Sequence, residues 1–195
     1  MDRITLFLPR AILTAVAALA ALMVSTPGYA DDFSLSLADE SVKGQFRASD
    51  AFDDASLGAG YTFREGGTHL LNLDGHVTGR TAIENLPVSV GLGGRKSFLH
   101  DSPINGGSLA PGGYFSANIP EVPGLSVNGE LYLAPSILSY GDVDGARFLE
   151  ASVSYRIIRK AEVMAGFRYV SAELDEGRSD FRVEEDLIIG MRLLF

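Results

Sequence analysis

The chain ends in the stretch Leu187-Ile188-Ile189-Gly190-Met191-Arg192-Leu193-Leu194-Phe195. Every second residue of this stretch is apolar, and the last one is aromatic: Leu187, Ile189, Met191, Leu193 and Phe195. A period of two is that of a β-strand with one apolar face. A closed barrel is the β architecture that leaves no unpaired backbone in lipid. We therefore interpret the stretch as the closing strand of a bacterial outer-membrane β-barrel.

The amino terminus has the pattern of an export signal. Arg3 and Arg10 precede an apolar run from Ala11 to Val24, and Gly28-Tyr29-Ala30 has the small-x-small pattern that signal peptidases accept. A retained anchor is the alternative, but the run is shorter than the roughly 20 residues that a membrane-spanning helix needs. The sequence therefore predicts a signal peptide over residues 1–30 and one mature barrel domain over residues 31–195, in the envelope of a Gram-negative cell.

Charge and cysteine content narrow the possible partners. The net charge of −9 argues against a nucleic-acid partner, because phosphate backbones are bound by basic surfaces. The chain has no cysteine, so it has no disulfide framework, thiolate metal site or lipid-anchored cysteine. No motif in the sequence indicates a cofactor or a metal site.

Alternating apolar and polar residues, separated by Gly, Asp, Asn and Pro, predict an all-β meander. We expect an antiparallel up-and-down transmembrane barrel of about ten strands, at 33–37, 42–48, 55–64, 68–79, 87–98, 108–118, 125–134, 146–158, 161–173 and 184–195. At Asp39-Glu40-Ser41 the alternation changes phase. We interpret this as a tight hairpin, although a bulge would join the first two strands and, together with the loss of another weak segment, would give an eight-stranded barrel.

A soluble β-sandwich would show the same alternation, because each of its sheets also buries one face. In a membrane barrel the apolar face points to lipid instead. Alternation alone does not distinguish the two arrangements. The signal peptide, the terminal aromatic residue and strands near ten residues favour the membrane barrel.

Loop lengths predict an orientation. If Phe195 lies at the periplasmic end, Arg159-Lys160, 80–86 and 119–124 are periplasmic, and the longer segments Glu173–Val183, Pro135–Gly145 and 99–107 are extracellular. Ten strands then bring both termini to the periplasm. The outer loops carry acidic residues that could bind cations bridging lipopolysaccharide, or another ligand: Asp39, Glu40, Glu65, Asp101, Asp142, Asp144, Asp175, Glu176 and Asp180.

The polar face of the later strands predicts a charged lumen. Barrels of about eight strands are filled by side chains, whereas open channels need about sixteen. We therefore expect a packed ion-pair network and a structural or interaction role, with a narrow porin-like passive pore as the alternative. The candidate network comprises Glu130, Glu150, Arg156, Glu162, Arg168, Asp186 and Arg192.

One strand carries a possible catalytic set. Asp74, His76 and Thr78 share one face, and an acid, a histidine and a hydroxyl can act together in acyl transfer. Three polar residues that fill a lumen would look the same, and no oxyanion hole is visible. We expect no enzyme, with a lipid acyl hydrolase as the alternative.

Several motifs together resemble the YfaZ family of outer-membrane proteins, over essentially the whole mature chain. They are Phe33-Ser34-Leu35-Ser36-Leu37, Gly91-Leu92-Gly93-Gly94-Arg95, Leu131-Tyr132-Leu133-Ala134-Pro135, Leu138-Ser139-Tyr140-Gly141-Asp142, Gly166-Phe167-Arg168-Tyr169-Val170 and Gly190-Met191-Arg192-Leu193. The resemblance implies an outer-membrane barrel. We expect such a barrel to contact outer-membrane lipid and lipopolysaccharide. The resemblance also implies recognition by the barrel-assembly machinery through Gly190, Leu193 and Phe195, although Ile188 stands where the usual signal has a polar residue. It implies no catalytic residue.

Overall fold

A computed structural model describes residues 30–52, 54–83, 86–174 and 181–195. It contains eleven strands: β1 (Ala30–Leu37), β2 (Ser41–Phe52), β3 (Ala55–Arg64), β4 (Thr68–Ile83), β5 (Leu86–Asp101), β6 (Ile104–Asn118), β7 (Leu125–Ala134), β8 (Ser139–Gly141), β9 (Val143–Ile158), β10 (Ala161–Leu174) and β11 (Phe181–Leu194). A single turn of 3-10 helix, Ser136–Leu138, precedes β8. No helix in these ranges is long and apolar enough to cross a membrane. The predicted signal peptide lies outside the described residues, apart from Ala30.

Ten of the strands form a closed antiparallel ring. Each long strand pairs with its neighbours along the chain, β7 pairs with β9, and β1 pairs with β11 to close the ring. At the closing seam Phe33 lies opposite Leu193 and Leu37 lies opposite Ile189. The ring has no free edge, which is what backbone in lipid requires.

The prediction of a ten-stranded barrel is confirmed, and the eight-stranded alternative is wrong. β1 and β2 are separate strands that pair along the full length of β1. The change of phase at 39–41 is a tight turn, in which the Ala38 amide donates to the Ser41 carbonyl over 2.9 Å. The side chains restart on the same faces after the turn, so the phase shift in sequence marks a reversal of the chain and not a bulge.

The two faces of the barrel wall are inverted relative to a soluble protein. Large apolar side chains point outward and are exposed, including Leu187 at 79% and Leu92 at 72%. Polar and charged side chains point inward and are buried, among them Lys43, Asp74, Arg95, Glu162, Arg168 and Glu184. A sandwich in water would bury the apolar face. The burial pattern therefore identifies the apolar surface as the face toward lipid.

Aromatic side chains lie at both ends of this apolar band. Toward the end where Ala30 and Phe195 lie, which we call the terminal end, the outward aromatic residues include Phe33, Phe46, Phe115, Tyr155 and Phe195. Toward the opposite, distal end they are Tyr61, Phe63, Phe98 and Tyr140. Aromatic girdles at two levels are typical of a barrel that crosses one bilayer.

Two connections are shorter than the sequence indicated. The predicted loop at 99–107 is a turn between Asp101 and Ile104. The predicted loop at 80–86 is also shorter, because β4 extends to Ile83 and β5 begins at Leu86. The predicted loop at 135–145 contains β8, which pairs with residues 106–108 of β6. β7 ends at Ala134 and leaves this part of β6 without a neighbour, so β8 covers an edge that would otherwise be unpaired.

The connections differ in length between the two ends. At the terminal end, two residues join β2 to β3, β4 to β5, and β9 to β10, and six join β6 to β7. At the distal end, the connections range from two residues between β5 and β6 to eight between β7 and β9. The longest connection between long strands, from Ala134 to Val143, lies at the distal end. Short turns on the periplasmic side and longer loops outside are typical of outer-membrane barrels. This asymmetry supports the predicted orientation, with the terminal end in the periplasm.

Replacing an outward apolar residue with arginine should separate the membrane barrel from a soluble one. Val153 is 47% exposed in the apolar band of β9, and Ile137 is 88% exposed in the distal loop. Because arginine in the hydrocarbon region costs about 2–4 kcal/mol at the midplane, we expect Val153→Arg to lower the free energy of unfolding in lipid vesicles by about 2 kcal/mol or more. Ile137→Arg should leave it nearly unchanged. Equal effects, measured by urea titration, would contradict the lipid-facing assignment of β9.

Candidate functional site in the barrel lumen

The first inward cluster joins opposite walls of the barrel through Arg47, Asp74, Arg95 and Glu130, which we call the Arg95 cluster. Arg95 donates to Asp74 through Nε and Nη2 over 2.7 and 2.9 Å, and its Nη2 also donates to Glu130 over 2.9 Å. Arg47 donates to the other oxygen of Glu130 over 2.6 Å. Arg47 lies on β2 and Glu130 on β7, which are diametrically opposite in the ten-stranded ring. Two bases and two acids thus neutralise one another across the lumen.

The second inward cluster, the Arg168 cluster, comprises Lys43, Glu150, Arg168 and Glu184. Lys43 donates to Glu150 over 3.0 Å, and Arg168 donates to the same oxygen over 2.8 Å. Arg168 also donates to Glu184 over 3.0 Å, and Ser41 donates to that carboxylate over 2.7 Å. This cluster again contains two bases and two acids. Charges this deeply buried are tolerated because every member has a partner of opposite charge.

The seven predicted lumen residues divide into three groups. Glu130, Glu150 and Arg168 belong to the two clusters, whereas Arg156, Glu162 and Arg192 lie closer to the terminal end. Arg156 donates to Glu162 over 2.9 Å. Asp186 lies opposite Arg168 in the ladder but makes no ion pair with a described residue, because Arg168 reaches Glu150 and Glu184 instead.

Sequence reasoning did not include four charged members of the clusters, and it treated Asp74 only as a catalytic candidate. The missed residues are Lys43, Arg47, Arg95 and Glu184. The signal for Lys43 and Arg47 was present, because they alternate with Val42, Gly44 and Phe46 in the same way as the later strands. The alternation showed which residues face inward, but not which ones meet across the ring.

An apolar cluster fills the lumen between the charged clusters and the distal end. We call it the apolar plug, and its members are Leu70, Leu99, Ala110, Tyr132, Ala134, Val143, Ala146, Phe148, Val170, Ala172 and Val183. The Arg95 guanidinium lies 4.1 Å from the centre of the Tyr132 ring, so the plug packs directly on the Arg95 cluster. The voids around the plug and the clusters measure 10–20 Å³. A void of roughly 10–15 Å³ holds about one water molecule, so this part of the lumen is filled.

A larger cavity, the vestibule, occupies the other half of the lumen. Its volume is about 170 Å³, and Glu130 and Glu150 lie in its lining on the side of the charged clusters. The lining nearer the mouth includes Asp32, Ser49, Ser89 and Arg192, which lie close to the terminal ends of their strands. The vestibule therefore opens at the terminal end and is closed by the charged clusters above it.

One glycine shapes the wall of the vestibule. Gly91 lies opposite Tyr114 in the ladder between β5 and β6, and a Cβ atom at position 91 would overlap the Tyr114 ring. The missing side chain lets the ring lie flat against the wall. There the ring supports the Arg47 guanidinium, whose central carbon is 4.4 Å from the ring centre.

The structure places the candidate catalytic residues in the lumen without joining them. Asp74 is held by Arg95. His76 shares a 2.7 Å hydrogen bond between Nε2 and the Tyr132 hydroxyl, and its Nδ1 lies 3.5 Å from the Ser56 hydroxyl. Thr78 lines the vestibule and makes no hydrogen bond with His76. The three residues therefore take part in separate contacts.

Several acidic residues of the distal loops have partners within the chain. Glu40 pairs with Arg64 over 2.7 Å, Asp101 accepts a hydrogen bond from Thr68, and Asp142 accepts one from the Asn105 amide over 2.8 Å. Asp175, Glu176 and Asp180 lie outside the described residues. Within the described loops, these three acids thus help to fix the turns.

The predicted assembly residues lie on β11 and just after it. Phe195 is exposed at the terminal end, and Leu193 faces outward opposite Phe33. Gly190 lies at the closing seam, where a Cβ atom would stand 2.5 Å from the Leu35 carbonyl oxygen. Close approach of the two backbones thus gives Gly190 a packing role in addition to any part in recognition.

The sequence profile of the YfaZ precursor family matches residues 11–195. The chain belongs to this family. The match covers nearly the whole chain, and together with the closed ring and the inverted faces it identifies a β-barrel of the outer membrane. No curated protein sequence matches this member of the YfaZ family.

Solved structures similar to the chain include two of the KdgM porin and one of an outer-membrane receptor. The KdgM porin and the KdgM porin in complex with disordered oligogalacturonate are each 12% identical, with 85% of this chain and 99% of the porin covered, at TM-scores of 0.42 and 0.43. The alcaligin outer-membrane receptor FauA from Bordetella pertussis is 12% identical over 85% of this chain and 41% of the receptor, at a TM-score of 0.23.

Removing one base from the Arg95 cluster should destabilise the barrel far more than removing an external one. Arg95→Met leaves Asp74 without its partner and Glu130 with only Arg47, and breaking a buried pair in this way costs about 3–5 kcal/mol. Arg147 pairs with Glu173 on the exposed outer surface, so Arg147→Met should cost less than about 1 kcal/mol. Urea unfolding in lipid vesicles measures both losses. Similar losses for the two variants would show that the Arg95 cluster does not brace the barrel.

Proposed function

We propose that this YfaZ family member is an outer-membrane barrel with a closed lumen and a structural or interaction role. We further propose that residues 1–30 direct its export. The observation that carries the proposal is the continuous filling of the lumen by the apolar plug and the two charged clusters.

Charge and packing both oppose passage through this interior. A solute that crossed the barrel would have to displace Arg95 from Asp74 and Glu130, and separating buried ion pairs leaves uncompensated charge in a medium of low dielectric. It would then meet the plug around Phe148, which offers few polar groups in exchange for hydration. Ten strands also enclose a lumen close to the size that side chains fill in small barrels.

A narrow passive pore is the second candidate function. The vestibule favours it, because a polar cavity of about 170 Å³ already extends from the terminal end to Glu130 and Glu150. A pore would need a continuation past the two clusters, where the voids between side chains have room for about one water molecule each.

We also propose that the barrel is not a lipid-modifying enzyme. An acyl chain approaches from the membrane, whereas His76 is buried on the lumen side of β4. The Asp74 carboxylate that could orient the histidine is held by Arg95. Both observations support packing as the role of these residues.

The proposed partners are lipid, lipopolysaccharide and the barrel-assembly machinery, the last through Gly190, Leu193 and Phe195. Lys96 supports the contact with lipopolysaccharide. It faces outward, with Nζ 5.2 Å from the centre of the Phe98 ring and 5.9 Å from that of Tyr140. A lysine that extends from the apolar band to the distal aromatic residues places its charge at the level of lipid phosphates.

The closed lumen predicts electrical silence. We expect the purified barrel to give no steady, reproducible conductance in planar bilayers, because the voids beside the two charged clusters have room for about one water molecule each. Channel recordings at low and high voltage test this. A reproducible unitary conductance of the wild-type protein would overturn the closed lumen and establish the narrow pore.

Cysteine labelling tests the same closure in a chain that has no cysteine of its own. Ser89→Cys introduces a thiol into the lining of the vestibule, and Ala172→Cys introduces one into the apolar plug. A small charged methanethiosulfonate should label the first variant rapidly in detergent micelles and the second only after unfolding in urea. Rapid labelling of both folded variants would mean that water reaches the plug.

The proposed contact of Lys96 predicts stabilisation by lipopolysaccharide. Adding lipopolysaccharide to refolding vesicles should raise the urea midpoint of the wild-type barrel, and Lys96→Gln should reduce that rise because one phosphate contact is lost. Lys160→Gln removes the same charge at the terminal end and serves as the control. An identical rise in all three proteins would exclude a role of Lys96.

A further inference from the structure

We propose that the vestibule is a binding site for the oxyanion group, phosphate or carboxylate, of a small periplasmic solute, with Arg192 as the main recognition residue. The proposal rests on the closed lumen, because only a cavity closed at one end would hold a ligand instead of passing it. It goes beyond that function, since it assigns chemistry to a cavity that a purely structural barrel does not need.

Arg192 has unused hydrogen-bonding capacity. It is largely buried in the vestibule wall on β11, yet it makes no hydrogen bond with any described residue. Its nearest acidic oxygens are at 3.8 Å on Asp32 and 3.7 Å on Glu162, which are ion-pair distances beyond hydrogen-bonding range. Its Nε is buried and has no hydrogen-bond partner among the described residues, and a buried donor of this kind is costly unless an acceptor is supplied.

A second donor without a partner borders the same cavity. Arg47 uses Nη2 to bind Glu130, but its buried Nε has no hydrogen-bond partner. Two guanidinium groups in one cavity, each with a buried free donor, are suited to the bidentate geometry of a phosphate or carboxylate.

Hydroxyl groups complete a polar lining. Ser49, Thr78, Ser89 and Ser152 line the vestibule, and none of their hydroxyls donates to or accepts from another described residue. They can therefore donate to the remaining oxygens of a bound anion or to its hydration shell. The cavity volume of about 170 Å³ is roughly ten times what one water molecule requires, so it admits a hydrated ion or a small solute.

The acidic residues of the lining make no hydrogen bond with Arg192. Glu130 is bound by Arg47 and Arg95, and Glu150 is bound by Lys43 and Arg168. Asp32 is the remaining acid of the lining, and it lies beyond hydrogen-bonding distance from Arg192. An incoming oxyanion therefore competes with two loose ion pairs of Arg192, those with Asp32 and Glu162, whereas the two charged clusters stay intact.

Calorimetric titration of the folded barrel in detergent micelles with inorganic phosphate, and separately with acetate, tests the proposal. We expect saturable binding of at least one of the two probes, and the probe that binds identifies the oxyanion class. Arg192→Gln should weaken binding about tenfold or more, since a hydrogen bond to a charged group contributes about 1.5–3 kcal/mol. Arg192→Lys keeps the charge but loses the planar array of donors of the guanidinium. Its affinity should therefore lie between those of the wild type and Arg192→Gln.

Arg159→Gln is the matched control, because Arg159 is exposed in the turn between β9 and β10 at the same end of the barrel. Its affinity should equal that of the wild type. Absence of saturable binding of both probes to the wild type, or equal affinity of the wild type and Arg192→Gln, would overturn the site and leave a vestibule that holds water only.

Circular dichroism of each variant shows that the barrel is folded. Recording conductance from the same preparations keeps the two proposals separate, because binding without conductance supports both and conductance without binding contradicts both. Absence of both conductance and binding would overturn the oxyanion site alone.

Discussion

Pairing of every backbone group in lipid is the constraint on which the rest of this structure depends. Water is absent from the hydrocarbon core, so each strand needs two neighbours and the sheet must close. The seam between β1 and β11 provides that closure. Once the ring is closed at ten strands, its diameter is fixed, and with it the amount of side chain that can stand inside.

The small diameter explains why the interior is braced and not merely polar. Side chains from opposite walls reach each other, as Arg47 does to Glu130 and Lys43 does to Glu150. These contacts link residues far apart in sequence, on strands that share no backbone hydrogen bond. Ion pairs across the lumen therefore stabilise the ring from inside, whereas backbone hydrogen bonds between neighbouring strands stabilise it around its circumference.

Much of the fold could be predicted from the sequence because a period of two marks each strand locally. The alternation of Leu149, Ala151 and Val153 with Glu150 and Ser152 is visible in the sequence and is reproduced in β9. The direction in which the apolar face points was not visible, since water and lipid impose the same alternation with opposite sense. Burial in the closed ring supplies that information.

Other features depend on geometry that no single strand records. Asp186 lies at a position expected for the ion-pair network of the lumen. Arg168 pairs with Glu150 and Glu184 instead of with Asp186. The strand at Ser139–Gly141 exists because β7 is shorter than β6, a mismatch between two neighbours. In the wall of the vestibule, the Tyr114 ring lies against Gly91, which is a relation between strands. Each of these follows from closure and strand length, not from local pattern.

All members of the apolar plug and of both charged clusters lie on the long wall strands. Within the described residues, no loop folds into the lumen to form the seal, so this packing contains no separate hinged segment. A barrier of this kind cannot swing aside as a separate piece. How closely its side chains pack depends on the cross-section of the barrel. A change in that cross-section therefore alters the packing of the seal and the volume of the vestibule together.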